Sequence, residues 1–153
     1  MMKKMLLSVI TGSMILAGST CSATVPADQL VLGGIQYGAS ISAVESAYGA
    51  PRKSEREMKP YGDKVEYKYG NTLEFEFLNG KVVKIKADDY SDAKTKAGIG
   101  LGMDAAALKN AYGAPDAIHE EDHIYYVAGQ QGIGLKFEVK YGKITDIKCG
   151  SLF

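Results

Sequence analysis

The chain has no tryptophan, two cysteines, two histidines and four prolines among its 153 residues. Each scarcity excludes something. Cys21 lies in an apolar N-terminal stretch, so Cys149 is the one cysteine of the body and no internal disulfide can staple it. Stability must come from core packing, which a body of about 130 residues can supply. His119 and His123 have no third histidine to join them as metal ligands. Basic and acidic residues number 18 each. That balance leaves no electrostatic footprint for nucleic acid and no polybasic patch for anionic lipid. Beyond the N-terminal stretch no apolar run is long enough to span a bilayer.

The first 23 residues read as a secretory signal. Met1-Met2-Lys3-Lys4 is a short positive start, Met5 to Gly18 is apolar or small, and Cys21-Ser22-Ala23 offers small residues for a peptidase. Val25-Pro26-Ala27 gives a competing cut after Ala27, and Cys21 gives an alternative end as a lipid-anchored cysteine. Cutting after Ala23 removes Lys3 and Lys4, which leaves 16 basic against 18 acidic residues, a net charge of −2.

The body repeats itself. Residues 34–51 and 98–115 share nine of 18 positions at an offset of 64, closing in both cases on Ala-Tyr-Gly-Ala-Pro. Ser40 and Asp104 occupy the N-cap position of a short helix in each copy. Gly49 and Gly113 supply the C-terminal glycine, and Pro51 and Pro115 stop continuation. The helices are expected over about 41–48 and 105–112, with Val44, Ala47 and Tyr48 on one face, matched by Leu108, Ala111 and Tyr112.

Alternating apolar and charged residues then predict strands at 65–69, 73–77 and 83–87, with Asn79-Gly80 as a hairpin turn. The second copy gives 124–128, 135–139 and 144–149; residues 73–86 and 135–148 share seven of 14 positions at an offset of 62. The expected fold class is therefore α+β, with two tandem units, each a short helical segment followed by an antiparallel three-stranded meander. The expected division is signal 1–23, first repeat 24–89, linker 90–97 and second repeat 98–153. Residues 52–64 and 116–123 read as polar connectors, and as the place to look for specificity because they differ between the copies.

The helix start, Tyr-Gly-Ala-Pro, Tyr-x-Tyr, Leu-x-Phe-x-Phe and Asn-Gly-Lys-Val-Val together resemble the β-lactamase-inhibitor-protein-like superfamily. The single unit is similar to outer-membrane assembly lipoproteins of the SmpA/OmlA type, and the tandem arrangement to secreted β-lactamase inhibitory proteins. The resemblance spans most of 34–149. Two departures stand out: the inhibitors carry disulfides, and the assembly lipoproteins carry a clear lipidation signal. The resemblance implies binding of another protein, through the open sheet face or the loops, without catalysis.

His119-Glu120-Glu121-Asp122-His123 is a literal H-E-x-x-H, whose zinc chemistry needs both imidazoles one turn apart on a helix. Here a helix has just ended and a strand begins at once, so an exposed acidic loop is the favoured reading. Gly100-Leu101-Gly102 ahead of a helix fits a dinucleotide turn, but Lys94-Thr95-Lys96-Ala97 is no buried parallel strand before it. Cys149 fits a buried small residue better than a nucleophile. Of ten tyrosines, Tyr48, Tyr67, Tyr69, Tyr112 and Tyr126 fit core positions. Tyr37, Tyr61, Tyr90, Tyr125 and Tyr141 fall at turns, in the linker or on the wet face, and are the candidate partner-binding residues.

The expected function is a secreted or periplasmic, non-catalytic protein-binding module, inhibitor-like, with no cofactor and no metal. Its expected partner is another envelope or extracellular protein, with membrane contact only through a lipidated Cys21. Two alternatives stay open: a lipid-anchored structural component of the envelope, and a small zinc enzyme using 119–123.

Overall fold

A computed structural model describes residues 24–153; the signal reading of 1–23 and Cys21 lie outside the described residues. A 3₁₀ turn (Ala27–Gln29) leads to a two-stranded ribbon of β1 (Val31–Leu32) and β2 (Ile35–Gln36). Helix α1 (Ile41–Tyr48) precedes β3 (Lys53–Lys59), β4 (Gly62–Tyr69), β5 (Leu73–Leu78) and β6 (Lys81–Asp88). Helix α2 (Ala106–Tyr112) precedes β7 (Ala117–His119), β8 (Asp122–Val127), β9 (Gln130–Lys140) and β10 (Lys143–Ser151). The last eight strands form one antiparallel sheet in the order β3-β4-β5-β6-β10-β9-β8-β7.

This corrects the expected fold class. The protein is mostly β, and it is not two helix-plus-three-strand units. Each half contributes four strands, and β6 and β10 pair directly from Asp88↔Asp146 to Lys84↔Gly150, so the sheet runs unbroken across the molecule. The supposed connectors are strands: 52–64 holds β3 and its turn into β4, and 116–123 holds β7 and its turn into β8. Lone units would each have left a hydrogen-bonding edge at β6 and β10. Pairing those edges with each other removes the liability.

The helices form where caps allow. The Ser40 hydroxyl accepts from the Ala43 N–H at 3.2 Å, and Gly49 at φ 75° closes α1 with a bond to the Glu45 carbonyl. In the second half the N-cap is Ala105, with no side-chain cap. Asp104, expected there, instead pairs with Lys143 at 2.7 Å. Helices of eight and seven residues cannot persist alone. Val44 and Leu108 bury them against the sheet, and the phenols of Tyr48 and Tyr112 reach the Gly33 carbonyl and the Thr95 hydroxyl.

The core lies between these helices and one sheet face. Register places Tyr67, Phe75, Ile85, Cys149, Leu135 and Tyr125 in one row across six strands, and Leu73, Ala87, Ile147 and Phe137 in the next. Ala93 and Thr95, in the 90–97 stretch, are buried as well, and Thr95 bridges to Leu32.

Candidate protein-binding surface

Among the described residues no helix or strand packs over the sheet face away from the helices, and that face is charged. Side chains alternate along each strand, so the residues between the buried rows point out together. One outward row holds Lys86, Lys148 and Lys136 on β6, β10 and β9. The next holds Asp88, Asp146, Glu138 and Asp122 on β6, β10, β9 and β8. On the other half, Glu55, Glu66, Glu76 and Lys84 form a row across β3 to β6. Ion pairs tie these rows laterally: Lys86 to Asp88 at 2.6 Å and Asp146 at 3.6 Å, Lys136 to Asp122, and Lys64 to Glu76 at 3.2 Å. Each partly solvated pair contributes only about 0–1 kcal/mol to folding. Burial holds the Asp146 carboxyl above the usual aspartate range, against the pull of Lys86 and Lys148.

A pKa raised in the fold means that Asp146 favours folding below the unfolded carboxyl's pKa, and loses that contribution as pH rises through the folded value. Asp146→Asn should therefore match or exceed the wild type in thermal stability at pH 7 and lose any advantage at pH 3. A lower Tm at pH 7 than at pH 3, relative to wild type, would contradict this.

A groove of about 690 Å³ borders the acidic row, lined in part by Asp88, Tyr90, Glu138, Thr145 and Asp146. Tyr90 on its lining and Tyr141, next to the lining residue Lys140, are 97% and 103% exposed. Tyr61, in the turn from β3 to β4, is 66% exposed. The other two candidate tyrosines behave differently. Tyr37 is half-buried and packs on the core. Tyr125 is fully buried, with its hydroxyl on the Gly113 carbonyl at 3.1 Å and its ring against Tyr112 and Phe137. It cannot contact a partner. Tyr126, assigned to the core by alternation, is the residue on the outer side. The burial of both Ile124 and Tyr125 masks the alternation of β8, whose register places Tyr125 with Leu135 and Tyr126 with Gly134. The charged outer side of the strands was legible from their alternation, whereas the exposed Met58 and Phe153 carried no such signal. Charged residues alternating with apolar ones, as in Lys84-Ile85-Lys86-Ala87-Asp88 and Leu135-Lys136-Phe137-Glu138-Val139, were the visible signal of that side.

The H-E-x-x-H segment is a hairpin. His119 ends β7, Glu120 and Glu121 turn with Glu120 at φ 55°, and Asp122 starts β8. His119 shares the outward row of Asp122, while His123 shares the row of Phe137 on the opposite face. Imidazoles on opposite sides of a sheet cannot hold one zinc ion as a helical pair does. Gly100 and Gly102 precede a seven-residue α2, and among the described residues no parallel strand comes before them, so the dinucleotide turn lacks its frame. Cys149 is buried, and burial pushes its thiol up to about 12. It should not react with a disulfide reagent at pH 8 in native protein, and should react fully in denaturant; rapid native labelling would refute the burial.

Among the described residues no helix is long and apolar enough to cross a membrane. No protein-family model matches the chain. No curated protein matches it either. Among solved structures, a cysteine-rich secretory protein from Staphylococcus aureus subsp. aureus Mu50 aligns at a TM-score of 0.48 and 14% identity, over 83% of this chain and 48% of that one. The chain thus spans about half the length of that protein. A Streptococcus mutans protein named "putative beta-lactamase inhibitor protein" aligns at a TM-score of 0.36 and 15% identity, over 81% of this chain and 88% of that one. Similarities of this size are likenesses only and carry no argument about this chain.

Proposed function

We propose that this chain is an exported, non-catalytic protein-binding module whose partner docks on the open face of the sheet. The observation that carries the reading is the uncovered eight-stranded face, with charge in cross-strand rows and exposed tyrosines at its margin. Such a face offers orientation through charge and anchoring through aromatics, which is how protein interfaces divide specificity from affinity. The continuous eight-stranded sheet beneath it holds these side chains in place and so lowers the ordering cost of binding. An inhibitor-type role, in which docking covers an enzyme's site, is the form of binding that the motif resemblance implies. The export half of the reading rests on the N-terminal charge and apolar pattern of residues 1–23.

The test is capture. Immobilised protein is exposed to envelope and medium extracts, and bound proteins are identified by mass spectrometry. A protein retained by the wild type and lost when Tyr90 and Tyr141 are both changed to Ala supports the reading. A full panel of extracts yielding nothing, together with turnover in a broad hydrolase screen, would sink it.

A further inference from the structure

The charge on the part of the open face formed by β6, β10 and β9 is self-complementary. Each of β6, β10 and β9 presents one lysine and one acid two residues apart: Lys86 with Asp88, Lys148 with Asp146, Lys136 with Glu138. Strand register collects the lysines into one row and the acids into the next. Between them runs the backbone row Ala87, Ile147 and Phe137, whose side chains point to the core. A two-fold axis laid along that row, in the plane between two facing sheets, keeps position across the strands and inverts position along them. Each lysine of one copy then lies over the acid on the same strand of the other, giving six opposite-charge pairings from three strands. No fitting is involved, because the match follows from register alone.

The same operation exchanges residues equally distant from the axis. Tyr90, in the turn after β6, would come toward the Lys84 end of the other copy's β6, where a cation can meet an aromatic face. Tyr141, in the turn after β9, would come toward the opposite end of the other copy's β9, where the Phe153 ring lies beside Gly132. Tyr90, Tyr141 and Phe153 are among the most exposed large apolar side chains of the described residues, and all three lie at the ends of these strands. Lys148, at the centre of the lysine row, has no carboxylate within ion-pair distance among the described residues, unlike Lys86 and Lys136 on either side of it. It is the lysine with most to gain from a second copy.

We propose that a second copy of this chain occupies this part of the open face, as an isologous dimer about the Ala87–Ile147–Phe137 row. The proposal rests on the reading of the open face as a docking face and names its occupant. An isologous contact needs one patch that complements itself, and the lysine and acid rows meet that condition. Four strands about 4.8 Å apart and about seven residues deep cover roughly 19 by 24 Å, a small interface. The dimer is accordingly weak, with a dissociation constant on the order of micromolar, and sensitive to salt.

Sedimentation equilibrium of the purified exported protein tests this. Dimer is expected at about 20 mM salt, with association weakened at least about tenfold at 0.5 M. Lys148→Glu should be monomeric throughout while keeping the wild-type circular dichroism and Tm. Mixing it with Asp146→Lys should re-form a 1:1 heterodimer. If Asp146→Lys fails to fold, Lys136→Glu mixed with Glu138→Lys makes the same exchange on β9. A monomeric wild type at low salt, or a Lys148→Glu variant that dimerises like the wild type, overturns the proposal. An envelope protein captured equally by wild type and Lys148→Glu, with no dimer, would overturn self-pairing and leave the docking reading standing. A dimer with no captured protein would do the reverse.

Discussion

Gly150→Ala is expected to destabilise the fold by about 3 kcal/mol or more, from strain plus overpacking, and to split the sheet at its middle. Gly150 adopts φ 104°, a region that side-chain-bearing residues rarely enter. An added Cβ would stand 2.4 Å from the Val83 carbonyl oxygen and 2.9 Å from the Tyr37 ring. The first contact is backbone of the neighbouring strand and cannot swing aside. Gly150 pairs with Lys84 in the β6–β10 seam, the one place where the two halves of the sheet are hydrogen-bonded. Relief therefore requires β10 to move off β6. Urea denaturation should show a lower midpoint, and hydrogen exchange should show lost protection in 84–88 and 146–150 while the far strands keep theirs. Gly142→Ala is the control. It also has a positive φ, at 75°, but an added Cβ there meets nothing within 4 Å. The difference between the two variants isolates the steric part from the backbone part.

What the sequence made legible, and what it hid, divides along burial. Strands β4, β5, β6, β9 and β10 announced themselves because one face of each is buried and the other wet, as in Leu73-Glu74-Phe75-Glu76-Phe77. Both helices were legible from glycine, proline and small residues at their ends. β3 was not: Lys53-Ser54-Glu55-Arg56-Glu57-Met58-Lys59 is exposed along nearly its whole length, so no period-two signal exists in it. It is an edge strand, and its charges discourage a further strand from pairing there. β7 was hidden by its three-residue length and by a motif that read as something else. The union of two halves into one sheet was out of reach, since no local pattern records that β6 meets β10. Of the candidate site, exposure was read correctly at Tyr61, Tyr90 and Tyr141, which lie in turns or a loop, and Tyr37 proved half-buried. It failed at Tyr125, which pairs with Leu135 in the inward row, while the buried Ile124, level with Lys136, disguised which alternate positions of β8 face the core.

Tyr125 and Tyr126 supply the second large effect. Tyr125→Ala should cost about 3–5 kcal/mol, the range for emptying a large aromatic site in a core. Tyr125 sits in the row of Leu135 and Cys149, with its ring centroid 5.3 Å from Tyr112 and 6.0 Å from Phe137. Its removal would leave α2 without the ring that Tyr112 packs on. Tyr125→Phe keeps the ring and loses only the bond to the Gly113 carbonyl, and should cost about 1 kcal/mol. Tyr126→Ala, one residue on and outward-facing, should stay within about 1 kcal/mol of wild type. Burial also pushes the Tyr125 phenol up to about 12. A pKa raised in the fold contributes stability that is fully present below the unfolded phenol's value near 10 and is lost as pH rises from about 10 to 12. The wild type should therefore lose stability across that window, and Tyr125→Phe should lose less. Chemical denaturation of the three variants at pH 7, with wild type and Tyr125→Phe repeated at pH 11, decides the orientation of the two tyrosines. If Tyr126→Ala proved the costlier change, β8 would be facing the other way, and Tyr125 would return to the partner-binding surface.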